Sequence, residues 1–189
     1  MSISGEAWER LTSWLPTNQD PERPQMQVAT VTPDGRPDVR TVLLTEFSPE
    51  GFWFHTDSRS RKAAQLQASS AVALVVLWPG FTRQLSVQGE AAVASREEIA
   101  AAYARRSDFL KQLAWQNTHD FAQLPQAERV ARWQVFAEHG DASRQPPTWT
   151  GYLVRPHRLT FWEGGVDTAS LRTEFTATAS GWEQSYLAG

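Results

Sequence analysis

The feature that most constrains this chain is a series of short segments in which apolar and polar residues alternate between tight turns. Residues 26–32 alternate in this way, Pro33-Asp-Gly-Arg-Pro37 is a turn signal centred on Asp-Gly, and residues 39–47 are typical of the returning strand. A second turn, Ser48-Pro-Glu-Gly51, precedes a strand over residues 52–56. These segments predict an antiparallel meander.

The rest of the pattern adds helices between further strands. Helices are predicted over residues 5–15, from Ser58 or Ser60 to residue 68, from the capping box Ser95-Arg-Glu-Glu98 to residue 105, and over residues 108–115 and 126–139. Strands are predicted over residues 71–77 and 83–93, with three or four more over residues 150–187. This order favours a mainly β protein with inserted helices, built on an antiparallel barrel rather than on βαβ units.

Length and charge limit the class of protein. A chain of 189 residues suits one domain, and we predict an N-terminal helix and linker over residues 1–24 followed by a single domain over residues 25–189. A net charge of −3 argues against a general nucleic-acid or membrane-surface binder. No secretory signal or membrane-spanning run is apparent, so we expect a cytoplasmic protein with neither nucleic acid nor membrane as a partner.

Several kinds of site are disfavoured by the residues present. The chain has no cysteine, which excludes disulfides and thiolate catalysis, and its four histidines lack metal-ligand spacing, so we expect no metal. Neither a nucleophile elbow nor a glycine-rich dinucleotide motif occurs. Nine tryptophans are unusual for this length, and they indicate either an aromatic core or a surface that contacts flat ligands.

One basic segment has the composition of an anion site. Ser58-Arg-Ser-Arg-Lys62 places cations and hydroxyls at a predicted helix start, where backbone N–H groups lack partners. Cations are unfavourable at that end of a helix unless an anion accompanies them. Arg61 and Lys62 would suit a phosphate monoester, although a solvated basic turn explains the same residues.

Other polar residues interrupt apolar strands. Arg40 lies within an apolar strand, and the pair Arg83-Gln84 repeats the pattern on another strand. Phe161-Trp-Glu-Gly-Gly165 is followed by Arg172, so an indole and a guanidinium lie near the end of the chain. Each residue fits either a ligand contact or an ordinary outward-facing strand position.

Taken in order, these segments resemble the pyridoxamine 5′-phosphate oxidase family. Arg40-Thr-Val-Leu-Leu44 is similar to a strand that lines the flavin, and Phe54-His-Thr-Asp-Ser-Arg-Ser-Arg-Lys62 is similar to the phosphate-binding segment. Arg83-Gln84, Pro147-Thr-Trp-Thr-Gly-Tyr-Leu-Val154 and Phe161-Trp-Glu-Gly-Gly165 follow in the family's order. The resemblance covers the chain from about residue 25 to its C-terminus.

The resemblance implies an FMN-binding split β-barrel that works as a homodimer, with the flavin at the subunit interface. It implies FMN contacts from two strands, the basic segment and the C-terminal region. The implied FMN ligands are Arg40, Thr41, Val42, Leu43, Leu44, His55, Thr56, Arg61, Lys62, Gln84, Trp162 and Arg172.

Departures from the family's pattern fall on the residues that would hold the substrate. Thr45 stands where the family has a phosphate-binding lysine, and Thr168 and Ser170 replace an arginine and a histidine. Tyr103 and Arg106 fall near the family's other two substrate positions. No general base is evident, so His55, Tyr103 and His119 are candidates by chemistry and position alone.

The resemblance implies an FMN-dependent oxidase that passes electrons to oxygen, and the tryptophan content indicates a small aromatic or heterocyclic substrate. The loss of phosphate ligands argues against the vitamin phosphate as the substrate. Two alternatives stay open: a pyridoxamine or pyridoxine 5′-phosphate oxidase with altered ligands, and a flavin reductase or flavin- or haem-binding module without oxidase activity.

Overall fold

In the computed structural model, which describes residues 2–189 except for the side chain of Phe81, nine strands form one sheet. Every strand pairing is antiparallel, in agreement with the alternating pattern and its tight turns. The strands are β1 (Gln25–Val31), β2 (Pro37–Leu43), β3 (Glu46–Ser48), β4 (Gly51–Asp57), β5 (Ala71–Leu77), β6 (Arg83–Val93), β7 (Trp149–Glu163), β8 (Leu171–Thr178) and β9 (Gly181–Ala188).

The sheet curls into a barrel with an open seam. Its strand order is β2-β1-β5-β6-β7-β4-β3, and β2 at one edge contacts β4 near the other. Strands β8 and β9 extend the sheet from β7. The mainly β architecture predicted from the sequence is therefore present, and the seam between β2 and β4 leaves room for a cavity.

Strand β7 is the longest strand and borders three others. Strand β6 pairs along one side of it, while β4 pairs with its first part and β8 with its last part. The pairing with β6 skips His157, which forms a bulge. Because of this extra residue, Tyr152 and Val154 before the bulge face the same core as Leu159 and Phe161 after it.

Six α-helices lie before, between and after the strands that precede β7. They are α1 (Gly5–Trp14), α2 (Arg61–Ala68), α3 (Arg96–Ala104), α4 (Asp108–Gln116), α5 (His119–Ala122) and α6 (Gln126–His139) among residues 2–189. The predicted capping box is present, since Ser95 accepts from the Glu98 N–H and Glu98 accepts from the Ser95 N–H. None of the helices in this described range is long and apolar enough to cross a membrane.

The returning strand predicted over residues 39–47 is wrong as a single element. Strand β2 ends at Leu43, and β3 begins at Glu46. Between them, the Leu44 N–H donates to Pro24 O while the Thr45 N–H donates to Trp53 O. The chain therefore changes pairing partner at this point, from the edge of β1 to the edge of β4. Thr45 lies at that change and borders the barrel seam.

Helix α1 packs into the same core as the barrel. Leu11 is fully buried, and the Trp14 ring meets the Phe161 ring edge-on at 5.0 Å. Arg10 donates to Thr173 Oγ1 at 3.0 Å, which joins α1 to β8. The N-terminal helix and the barrel thus share one continuous set of buried apolar residues.

Gly51 should be the glycine whose replacement most damages the barrel. Its φ is 147°, and an added Cβ would collide with the carbonyl oxygen of Val154 on the neighbouring strand. We expect Gly51→Ala to lower the free energy of unfolding by about 3 kcal/mol, measured by urea denaturation. Gly35→Ala is the control, since Gly35 also has a positive φ, 82°, but open space around it. Equal losses in the two variants would contradict this account.

Candidate functional site

A cavity of about 300 Å³ opens where β2, β4 and the start of α2 face α4. Its wall combines hydroxyl groups and a lysine with apolar and aromatic side chains, which suits a ligand with one charged end and one flat end. The lining residues are Thr41, Val42, Leu43, Thr45, His55, Thr56, Lys62, Arg106, Asp57, Ser60, Leu110, Leu113, Ala114, Asn117 and Trp149. The first eight are residues that the sequence predicted for the cofactor or the substrate.

Lys62 and two hydroxyl groups form the polar end of this cavity. The Lys62 ammonium donates to Thr56 Oγ1 at 2.9 Å, and the Thr56 and Ser60 hydroxyls lie 3.4 Å apart. Ser60 is the N-cap of α2, yet its side chain accepts no capping hydrogen bond. Burial, followed by the charge of Arg40, lowers the pKa of Lys62, and a bound anion would oppose both effects. Arg61, the next residue, is exposed.

A buried polar network lies behind this end of the cavity. The Arg40 guanidinium forms an ion pair with Asp38 at 2.7 Å and donates to Thr30 Oγ1 at 2.6 Å and to Gln65 Oε1 at 2.9 Å. Gln65 in turn donates to Asp38 at 3.0 Å. Arg40, predicted as an FMN ligand, is thus bound by groups of its own chain, and it acts on Lys62 through its charge.

His55 lies in the aromatic wall of the cavity. Its Nδ1 is 3.0 Å from Thr45 Oγ1, and its ring stacks on Trp149 with centroids 5.3 Å apart and planes 9° apart. Its Nε2 is buried and has no hydrogen-bond partner. Burial, followed by the charges of Arg106 and Arg105, lowers the pKa of His55 to about 4. The imidazole is therefore neutral near pH 7.

A second chamber of about 650 Å³ adjoins the first and shares part of its wall. It is lined by Asn18, Gln19, Asp20, Pro21, Arg23, Leu43, Thr45, Glu46, Ala102, Arg105, Arg106, Ser107 and Leu110. The shared residues include Thr45 and Arg106, so the two chambers meet beside these side chains.

Arg106 is a partly buried cation at that junction. Its Nε and Nη2 both donate to Leu110 O at 3.2 Å, and its guanidinium carbon lies 4.5 Å from the centre of the Trp149 ring. No carboxylate within residues 2–189 lies at salt-bridge distance from it, and burial lowers its pKa. A ligand carboxylate or phosphate would supply the missing counter-charge.

Three further predicted ligands form a separate row. Gln84 on β6 pairs in register with Trp162 on β7, and Trp162 pairs with Arg172 on β8. None of the three lines either chamber. They lie near the end of β7, whereas Trp149 is its first residue. One copy of the chain therefore carries two groups of predicted flavin ligands at opposite ends of one long strand.

The remaining predicted residues lie apart from the chambers. Tyr103 lines neither chamber, and its hydroxyl donates to Ala142 O at 3.0 Å. His119 is exposed on α5, and Thr168 is exposed in the loop after β7, close in sequence to the half-buried Ser170. The Leu44 side chain is fully buried in the barrel core.

Sequence reasoning missed two residues that shape the site. Trp149 contacts His55 and Arg106 through its ring. The sequence could have indicated Trp149, because it lies in the segment after Pro147 that resembles the family. Gln65 is only 6% exposed and holds Arg40. Gln65 could have been predicted from helix α2, where it is buried together with Ala63 and Leu66. A buried polar side chain needs hydrogen-bond partners, so a glutamine there indicates a polar contact.

Acid should destabilise the protein through His55. The folded pKa of about 4 lies below the ordinary 6.5, so the unfolded chain binds more protons between these values and the free energy of unfolding falls as pH drops through this range. We expect this residue to contribute a loss of roughly 2–3 kcal/mol. Urea denaturation at about pH 7 and about pH 4.5 measures it, with His55→Phe as the non-titrating control. The same pH dependence in both proteins would refute the assignment.

Comparison with solved structures identifies the fold. PhzG from Burkholderia lata, solved with tetrahydrophenazine-1-carboxylic acid, has a TM-score of 0.78 over 90% of this chain and 84% of its own. A pyridoxamine 5′-phosphate oxidase-related, FMN-binding protein from Nostoc punctiforme has a TM-score of 0.70 over 87% of each chain. Both are 22% identical to this chain, so these likenesses confirm the predicted split barrel and concern the fold alone.

Sequence comparisons identify the family. The chain is 36% identical over 164 residues to a pyridoxine/pyridoxamine 5′-phosphate oxidase of Sphingopyxis alaskensis, covering 86% of this chain and 76% of the relative. It is 30% identical over 194 residues to that of Shewanella woodyi, covering 99% and 91%. Residues 17–141 match the family model for pyridoxamine 5′-phosphate oxidase, and residues 149–189 match the pyridoxine 5′-phosphate oxidase C-terminal dimerisation region. The chain therefore belongs to the pyridoxamine 5′-phosphate oxidase family and carries its dimerisation region.

Proposed function

We propose that this protein is a homodimeric, FMN-dependent oxidase that acts on a small, flat heterocyclic substrate without a phosphate group and passes electrons to oxygen. The observation that carries the proposal is the first cavity, which joins a lysine and two hydroxyls at one end to a wall of Leu43, His55 and Trp149 at the other. That arrangement suits a molecule with a phosphate and a fused ring system.

The phosphate would bind at the start of α2. Lys62 supplies a cation that is already partly desolvated, and Thr56 and Ser60 supply hydroxyl donors. The first backbone N–H groups of the helix add donors aimed at an anion. Arg61 is exposed in one copy of the chain, and we propose that it turns toward the phosphate when FMN binds.

The second group of flavin ligands would come from the other subunit. Gln84, Trp162 and Arg172 lie side by side across three strands, outside both chambers. The dimerisation region at residues 149–189 includes two of them. A two-fold dimer that brings this row of one subunit to the chamber of its partner would complete each site from both chains.

FMN supplies hydride acceptance and reaction of the reduced flavin with oxygen when it is bound. The residues of this chain would hold and orient the ring, and they would exclude water from it. None of the three side chains that the sequence offered as a general base is placed to act as one. His55 is neutral, its Nε2 is buried against the wall, and Tyr103 and His119 lie outside both chambers.

The substrate site favours an acid without a phosphate. Thr45 occupies the position of the family's phosphate-binding lysine, and Arg106, which lines the same two chambers, has no carboxylate at salt-bridge distance among residues 2–189. A single guanidinium suits a carboxylate. PhzG, which shares the fold, was solved with an unphosphorylated heterocyclic acid, and a ligand of that class would satisfy Arg106.

A second candidate is pyridoxamine 5′-phosphate oxidase activity itself. It is favoured by the relatives of that name, which are 30–36% identical and cover most of this chain. Arg106 would then bind the substrate phosphate without the lysine that the family has at the position of Thr45.

Removing both basic residues at the helix start should abolish flavin retention. Each charge-assisted hydrogen bond contributes about 1.5–3 kcal/mol, so Arg61→Ala with Lys62→Ala should weaken FMN binding by roughly 10²–10⁴-fold. Titration of FMN fluorescence measures the dissociation constant. Arg36→Ala is the control, because that arginine is exposed in the β1–β2 turn and pairs with Asp34. Unchanged FMN occupancy in the double variant would refute the proposal that Arg61 and Lys62 bind the FMN phosphate.

Restoring the lysine should restore recognition of the vitamin phosphate. We expect the FMN-loaded wild type to release hydrogen peroxide slowly from pyridoxamine 5′-phosphate. Thr45→Lys should tighten binding of pyridoxal 5′-phosphate by roughly 10–100-fold through one charge-assisted contact. Thr45→Met, of similar length without the charge, should give no such gain. A wild type that oxidises pyridoxamine 5′-phosphate at least as fast as Thr45→Lys would support the second candidate instead.

A further inference from the structure

Thr45 and His55 form an isolated hydrogen-bonded pair at the junction of the two chambers. Thr45 lines both chambers, and its Oγ1 lies 3.0 Å from His55 Nδ1. Within the described residues, no other hydrogen bond is formed by the Thr45 side chain. The direction of this one hydrogen bond therefore decides whether the Thr45 hydroxyl is free to donate its proton to a ligand.

The surroundings of His55 favour one direction. Nε2 is buried without a partner, and it lies so close to Gly151 that a Cβ there would come within 2.6 Å of it. A proton on Nε2 would be a buried N–H donor without an acceptor, which is rarer in proteins than a bare acceptor. A proton on Nδ1 leaves only a lone pair at Nε2 and lets Nδ1 donate to Thr45 Oγ1.

We propose that His55 is held as the Nδ1–H tautomer, which makes the Thr45 hydroxyl a fixed hydrogen-bond donor to an acceptor atom of the substrate, a ring nitrogen or a carbonyl oxygen. This inference rests on the proposed function, since it assumes that FMN and a substrate share the cavity. His55 is a positioning residue, because it acts on the substrate through Thr45. The neighbouring Arg106 would take an anionic group on the same ligand.

The Thr45–His55 pair therefore limits the chemistry of the substrate more narrowly than the size of the cavity does. A threonine hydroxyl has one proton, and once its oxygen accepts from Nδ1 that proton is directed elsewhere. A planar heteroaromatic acid with an unprotonated ring nitrogen near its carboxylate would satisfy both Thr45 and Arg106. A ring N–H in that position could only donate to the remaining lone pair of the oxygen, and the threonine proton would be left without an acceptor.

The tautomer can be read without any enzymatic activity. We expect ¹⁵N side-chain spectra at about pH 7 to show His55 protonated at Nδ1 and bare at Nε2, in both the apoprotein and the FMN-loaded protein. The His55→Asn variant assigns the signal among the four histidines. A proton on Nε2 alone would overturn the proposal, because Thr45 would then donate to Nδ1, and protons on both nitrogens would overturn the assignment of a neutral Nδ1–H tautomer.

The donor role is tested with two matched probes. Quinoline-2-carboxylate and naphthalene-2-carboxylate differ only in a ring nitrogen, and both carry a carboxylate for Arg106. For each protein we take the dissociation constant of the naphthalene acid divided by that of the quinoline acid. This ratio should be about fivefold larger in wild type and in Thr45→Ser than in Thr45→Val. An unchanged ratio in Thr45→Val, or no binding of either probe to protein that retains FMN, would overturn it. Failure to bind FMN would instead refute the proposed function, and the ¹⁵N result would still be read from the apoprotein.

Discussion

The pairing of β7 with three other strands is the constraint on which the rest of the structure depends. It joins β4, which carries His55 and Thr56, to the continuous barrel wall and to the C-terminal strands β8 and β9. Strand β7 also begins with a residue of the cavity wall, Trp149, and carries Trp162 near its end. The position of the cavity and that of the dimerisation region are therefore set by the same hydrogen-bonded strand.

The cations of the site differ in whether a carboxylate of the same chain balances their charge. Arg40 is paired with Asp38 within the wall, and its charge still lowers the pKa of Lys62 in the cavity. Lys62 and Arg106 have no carboxylate partner at salt-bridge distance within the described residues, and burial lowers the pKa of each. Such groups favour anions at two separate points, as the proposed phosphate-bearing cofactor and acidic substrate require.

Local sequence signals predicted most elements but not the long-range contacts. Strand β6 and helix α6 have the predicted bounds, because alternation and helix-end signals are local properties. The break at Thr45 was missed, since it arises when the chain changes pairing partner. Lys62 was indicated by the local basic segment, and Thr45, Thr56 and Arg106 came from the family resemblance. The contact of Trp149 with His55 depends on strand pairing that no local pattern encodes.

The bulge at His157 determines where this family member can tolerate changes in chain length. Even-numbered residues of β7 face the main core before the bulge, as Val154 does, and odd-numbered ones face it afterwards, as Phe161 does. Deleting this one exposed residue would restore regular pairing with β6 and leave the same side chains on the core face, whereas deleting a residue elsewhere in β7 would turn one part of the strand over. Insertions in the exposed loop at residues 164–169 also leave the facing of β7 unchanged, so length variation among relatives should be common in that loop and at the bulge, and rare elsewhere in the strand.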